Sequence, residues 1–232
     1  MTDSIDVSSS AIRPAPLAQR VVPLFPLPGL FLFPGTALPL HIFEPRYRRM
    51  VEDLLDTSGR LVLGTVMPGH EKEILGAPPV HVIAGLGEIA RHQRLDDGRF
   101  VIFVIGLTRV RLSEVDSDRP YRKVEVAPLP ERPVPPSEAD ALRRELTAAV
   151  KARSPSVVLP ADVPLGQLTD LLLLHLRLDV TTMIDLYSRL DVAERAHGAL
   201  EHHAKLPIPP PKTDDEKKED GESPPDPTPD AI

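Results

Sequence analysis

Residues 21–43, VVPLFPLPGLFLFPGTALPLHIF, carry no charge, yet prolines interrupt them at positions 23, 26, 28, 34 and 39. Length alone would allow a membrane helix, which needs about 20 apolar residues. Each internal proline, however, removes a backbone donor and clashes with the preceding turn, at roughly 3 kcal/mol in a helix interior. Five of them, together with Gly29 and Gly35, argue against a straight span. The stretch reads instead as two short buried strands, near 21–25 and 36–42, joined by a stiff apolar loop. Proline then falls at strand starts and edges, where a missing N–H does least harm.

The chain of 232 residues is long enough to bury a real core, as one domain or two small ones. It has no cysteine, which excludes disulfides and thiolate metal sites and is consistent with a reducing compartment. The first twenty residues hold Asp3, Asp6 and several serines and show no apolar signal core, so a cytoplasmic location is expected. The net charge of −7 is unevenly placed. From Pro207 onward, Lys212, Lys217 and Lys218 face eight acidic residues, leaving the rest of the chain near −2. Neither part offers the basic face that phosphate neutralisation needs, so nucleic acid is not expected as a partner.

Residues 1–19 are rich in Ser, Ala and Pro and are expected to be disordered. Residues 207–232, PIPPPKTDDEKKEDGESPPDPTPDAI, cannot bury enough apolar surface to offset their ordering entropy and read as an acidic, Pro-rich tail. Residues 20–130 are mostly strand, with candidates at 62–66, 80–89, 100–112 and 121–126. Asp96-Asp97-Gly98 marks a hairpin turn, and Gly85, Gly87 and Gly106 fall inside strands, where they suggest bulges or close backbone approach. One helix interrupts the strands. Pro45 suits its first turn, Tyr47, Met50, Val51, Leu54 and Leu55 follow at helical spacing, and Gly59 lies past its end. Residues 137–206 are helical. Ser137 is the expected first cap, and 164–178 is apolar nearly all round and reads as a bundle centre. A third helix follows near 183–190, and Asp191 with Glu194 opens a last one as a capping box. Strands first and helices after argue for an α+β arrangement.

Catalytic motifs are scarce. No GxxxxGK[ST] phosphate loop and no GxSxG elbow occurs. His70-Glu71 begins like the zinc-protease HExxH, but Ile74 stands where the second histidine should be, so the region reads as a charged loop. His202 and His203 are adjacent and point apart, and with His197 they read as surface residues. His175 on the leucine-rich helix reads as a satisfied core histidine. No catalytic residue, metal site or cofactor is expected. The arginines around Tyr47 and at 91–94 invite an RNA reading, but aromatics make up only 4% of the chain, so stacking platforms are few. Glu44 with Arg46 or Arg48 suits a structural ion pair at the start of the helix beside Tyr47, or a contact point.

The blocks FPLPGLFLFPGTALPLHIFEPRY at 25–47, GLGEIARHQRLDDGRFVIFVIGLTRVRL at 85–112, PLGQLTDLLLLHL at 164–176 and SRLDVAERAHGAL at 188–200 resemble, in the same order, the substrate-binding N-terminal domain of Lon proteases. The resemblance implies a PUA-like β pseudo-barrel with one inserted helix, followed by a C-terminal helical bundle. It also implies recognition of unfolded or damaged polypeptides. The ATPase and Ser–Lys protease modules of that family have no counterpart in these residues, so no catalytic residue carries over. Thr181-Thr182 stand where the family commonly has Lys-Gln.

The leading expectation is a free-standing, non-enzymatic module that binds exposed apolar polypeptide segments and acts as an adaptor or regulator of proteolysis. A separate ATP-dependent protease is a candidate partner, no membrane partner is expected, and a homo-dimer is left open. The Pro-stiffened loop supplies the candidate contacts: Leu27, Leu30, Phe31, Phe33 and Pro34. A stiff loop binds an extended chain at low ordering cost, although the same side chains could plug the core. The alternatives are a peptidase-related enzyme and an RNA-binding PUA-like protein.

Overall fold

The computed structural model describes residues 21–208. The disorder expected at 1–19, and at the tail beyond 208, lies outside the described residues. Two compact units divide the chain, Met1–Pro130 and Glu131–Ile232. The first holds β1 (Val21–Pro28), β2 (Ala37–Ile42), α1 (Pro45–Leu55), β3 (Arg60–Val66), β4 (Ile83–Arg94), β5 (Phe100–Val115) and β6 (Lys123–Pro128). The second holds α2 (Pro136–Arg153), α3 (Leu165–His175), α4 (Val180–Ser188) and α5 (Val192–Lys205).

The six strands run in the order β2-β5-β4-β3-β1-β6, and β6 also pairs with β5. The sheet therefore returns on itself through the 16 residues of β5. Its first half, from Phe100 to Ile105, pairs with β2, and its second half, from Val110 to Val115, pairs with β6. Only β1 and β3 run parallel. Two register shifts interrupt the β4–β5 ladder: one after Leu86, beside Gly87 and Gly106, which suggested bulges, and one after Ile89, away from those glycines.

Strand β1 runs on through Pro26 to Pro28 instead of ending near Phe25. The ladder leaves room for its prolines. Pro23 precedes the first β3 partner, which is opposite Leu24. Leu24 donates to Arg122 O on the β6 side, so by alternation Pro26 and Pro28 turn toward that side, beyond the last β6 partner at Val21–Pro23. No ladder bond is lost at any of the three.

Helix α1 buries Tyr47, Met50, Val51 and Leu54 against Phe25, Leu61, Leu63, Phe100 and Ile102. A second cluster gathers Val22, Leu24, Val62, Leu86, Val110 and Val124. Fully buried side chains of this kind contribute about 1.5–3 kcal/mol each. The β4–β5 hairpin turns at Gly98, whose φ of 79° suits a residue without Cβ, and Leu95 N donates to Arg99 O across it.

Three expectations are corrected, two in the helical unit and one in the β unit. Ser137 is not the cap of α2: the helix begins at Pro136 with Pro135 before it and no side-chain cap, because proline needs no partner for an absent N–H. Helix α3 stops at His175, and Leu174 stays 46% exposed, so its apolar character is not buried all round. Its buried face instead includes Thr169 and Asp170. Strand 80–89 begins only at Ile83, Val80 being held by an isolated bridge to Val66. Asp191 does cap α5, accepting from Glu194 N at 3.0 Å, and Asp179 caps α4 by accepting from Thr182 N and its hydroxyl.

Candidate functional site

The loop between β1 and β2 is turned by Gly29 and Gly35, both at positive φ. Between them Leu32 and Phe33 dive into the core, each 1% exposed. The Thr65 hydroxyl donates to Leu30 O at 2.6 Å, and the Thr36 hydroxyl donates to Phe33 O at 2.8 Å. Phe33 O also lies so close over Gly106 that no Cβ would fit there. That contact, with Gly35 N donating to Gly106 O, seats the loop on β5. Arg109, itself buried, sits 5.6 Å from the Phe33 ring centroid.

Of the candidate contact residues, Leu27, Leu30, Phe31 and Pro34 are half-buried. Leu27 and Leu30 pack on the α1-side core. Phe33 belongs to the interior, because its backbone is held at both ends and its ring is enclosed. An incoming chain could not reach it without lifting the loop.

Glu44 and Arg46 form an ion pair at 3.0 Å. The same guanidinium donates to Ile74 O and Gly76 O and lies 4.6 Å from the Tyr47 ring. It thus ties the 74–76 turn to the start of α1. Tyr47 is buried against Phe25, ring centroids 4.4 Å apart, and burial pushes its hydroxyl above the usual range. A cleft of about 500 Å³ opens beside Arg46, lined also by Gly76, Glu114, Arg119, Tyr121 and Arg122. Its three arginines are each paired with a carboxylate. Arg122 holds Glu114 at 2.7 and 2.6 Å and keeps that carboxyl below its ordinary range. Tyr121 donates to Asp53, and burial first, then Asp53, pushes its hydroxyl up to about 12. The Ser117 hydroxyl donates to Tyr121 O, and no histidine lines the cleft. A nucleophile paired with a base is not assembled there.

The histidines are dispersed. His70 contacts Glu73 at 2.9 Å in a surface turn, and His175 Nδ1 donates to Leu171 O at 2.7 Å. His203 Nδ1 accepts from Arg153. Among the described residues no group of three or more metal-ligating side chains converges, and no helix is long and apolar enough to cross a membrane.

The surface that sequence reasoning missed lies on β5. Phe103, Ile105 and Leu107 are 42, 40 and 40% exposed, and Val101 is half-buried in the same row. Across the ladder, Ala37, Pro39 and His41 of β2 stand opposite Ile105, Phe103 and Val101. Phe43, 61% exposed, continues the patch with its ring 6.2 Å from that of His41. The signal was present in FVIFVIGL at 100–107. A half-buried strand alternates apolar with polar, and here both parities are apolar.

The family described as ATP-dependent protease La (LON) substrate-binding domain matches residues 21–205. The chain is 27% identical over 185 residues to Lon protease of Dictyoglomus thermophilum, covering 76% of this chain and 23% of that protein. It is 31% identical over 160 residues to Lon protease 2 of Sorangium cellulosum, covering 66% and 19%. The chain thus spans about a fifth to a quarter of these relatives. Two solved structures share the fold. They are the N-terminal domain of Mycobacterium avium complex Lon protease (TM-score 0.61, 16% identity, 79% of this chain and 98% of that one) and a Lon N-terminal domain protein from Xanthomonas campestris (TM-score 0.56, 22% identity, 78% and 97%). The chain belongs to the Lon substrate-binding domain family.

Proposed function

We propose that this chain is a non-enzymatic recognition module that binds exposed apolar segments of unfolded polypeptides and serves, in the cytoplasm, as an adaptor or regulator for a separate ATP-dependent protease. The observation that carries the reading is the uncharged row of exposed Phe103, Ile105 and Leu107 with half-buried Val101, widened by Pro39 and Phe43. Contiguous apolar surface of this kind marks interaction sites. Leu27, Leu30, Phe31 and Pro34 are retained as subsidiary contacts, and Phe33 is withdrawn to the core. Glu44, Arg46 and Tyr47 act as structural residues at the start of α1.

The closed ring of strand pairings supports a PUA-like pseudo-barrel for residues 20–130. The packing of α2, α3 and α4 on α5 supports a helical bundle for 137–206. The paired arginines of the cleft and the dispersed histidines favour binding over catalysis.

The test is fluorescence anisotropy of a labelled, permanently unfolded polypeptide titrated with the chain at low and high salt, without ATP. Saturable, salt-tolerant binding is expected, because apolar contacts are not screened. No binding up to about 1 mM, weaker than roughly −4 kcal/mol, overturns the reading.

A further inference from the structure

Strand β2 pairs with β5 alone among the described strands. Gly106 N donates to Thr36 O at 2.9 Å, which sets the alternation of the ladder. Thr36, Leu38, Leu40 and Ile42 turn their peptide groups toward β5, and Ala37, Pro39 and His41 turn theirs away. All three outward residues are exposed. Edge strands are ordinarily protected from pairing by lysine, other charges or proline. Here no residue from 36 to 43 is charged, and Pro39 blunts the edge only by removing one donor. The N–H groups of Ala37 and His41, and the carbonyls of Ala37, Pro39 and His41, are therefore presented to solvent in strand geometry. Their complement is another extended backbone.

The side chains beside this edge agree with it. Ala37 and Pro39 are short, and they leave Ile105 and Phe103, their cross-strand partners, uncovered. A strand laid against β2 would place alternate side chains on the same face. Long apolar ones could lie over Ala37 and Pro39 and reach those two residues. A second copy of this chain fits less well. Pairing β2 with β2 brings a proline from each copy near the middle of a six-residue ladder and removes a donor from both sides. A foreign segment meets only one such gap.

We infer that an extended apolar segment of a bound polypeptide adds to the open edge of β2 as a further strand, hydrogen-bonded through Ala37 and His41, with alternate side chains against Phe103 and Ile105. This rests on the polypeptide-binding reading above and supplies its mode, strand addition. Main-chain bonds would give affinity without sequence preference, and the Phe103/Ile105 row would select for apolar residues at every second position.

The probe is a fluorescein-labelled peptide of alternating Leu and Ser, about ten residues long, titrated against the full chain. Ala37→Pro and His41→Pro each delete one outward N–H and leave the bonds to β5 in place. Each is expected to weaken binding about tenfold or more, with the circular dichroism melt close to that of the parent. On the unaltered chain, N-methylation of alternate peptide residues should cause a comparable loss in one of its two registers. Amide exchange at residues 37 and 41 should slow when peptide is bound. Undiminished binding by folded His41→Pro, together with indifference to N-methylation, overturns strand addition while leaving polypeptide binding intact. Failure of the unaltered chain to bind either this peptide or the unfolded polypeptide removes the reading on which the mode rests. Dimerisation that Ala37→Pro abolishes, with no peptide bound, would make a second copy the occupant and overturn the inference.

Discussion

Phe33 and Phe103 are the same side chain with opposite duties, and the difference lies in what holds their backbones. Phe33 is enclosed in a loop pinned to Gly106, whereas Phe103 stands on the outward face of β5. Phe33→Ala should therefore lose about 3–5 kcal/mol of stability, the range for emptying an aromatic site in a packed core, read as a lower urea midpoint. Phe103→Asp should shift that midpoint little, as surface changes do, and should weaken binding of unfolded polypeptide. The reverse pattern would exchange their roles. A second residue-scale case is Arg195, fully buried with Nε 3.1 Å from Asp170 Oδ1, a close ion pair rather than an aligned hydrogen bond. Its other contacts are Glu131 and, at 2.6 Å, Arg189 O. Arg195→Ala leaves the Asp170 carboxylate buried without its cation, which costs about 3–5 kcal/mol. Arg195→Met combined with Asp170→Leu should recover most of that loss in chemical denaturation. Neither residue stood out in the sequence. Glu194-Arg195 looks like a solvated helix face, and the partner that buries it lies 25 positions away on α3.

At the scale of the element, the end of α5 is gathered by Arg153 of α2. That guanidinium donates to His203 Nδ1 at 2.8 Å and to the carbonyls of His203, Leu206 and Pro207. His203 can accept only while neutral. Burial first, and then the charge of Arg153, holds its pKa below the ordinary value, and Arg153 is the one charge acting on it among the described groups. The unfolded chain takes up this proton near pH 6.5 and the folded chain resists it. The contact is therefore fully stabilising above about 6.5 and is lost as pH falls through that value toward the lower folded one. Between pH 7.5 and 5, the parent Tm should fall more than that of His203→Gln, which does not titrate. Equal slopes would dissociate His203 from the acid response. The same scale shows what the sequence made legible. Asp96-Asp97-Gly98 and Asp191 with Glu194 were readable because turn and cap chemistry is local. Ser137 misled because Pro136, the residue just before it, offered the helix a start that needs no cap. Strand β1 outran its expected end because proline tolerance depends on where neighbouring strands stop, and no local pattern contains that. The β2–β5 face was missed for a related reason. A doubly apolar strand such as 100–107 suggests burial on both faces, and only the exposure of Phe103, Ile105 and Leu107 in the folded chain shows that one face is open.

At the scale of the whole molecule, each unit carries its own apolar core, and the proposed binding surface lies wholly on the β unit. Nothing in that surface requires nucleotide, so binding and cleavage should separate cleanly. Incubated with an unfolded protein and ATP, the chain should release no peptide above a protein-free control. Peptide release abolished by a conservative change in this chain would overturn the non-enzymatic reading. Added in excess to a full-length Lon protease, it should alter the rate at which unfolded substrate is degraded. If it only sequesters apolar segments, the rate should fall once its concentration exceeds its Kd for the substrate, since free substrate then declines by mass action. If it delivers them, the rate should rise at low concentration and fall at excess. Phe103→Asp should remove either effect while leaving degradation by the protease itself unchanged. A rate indifferent to the chain at saturating concentration would exclude both the adaptor and the regulator for that protease.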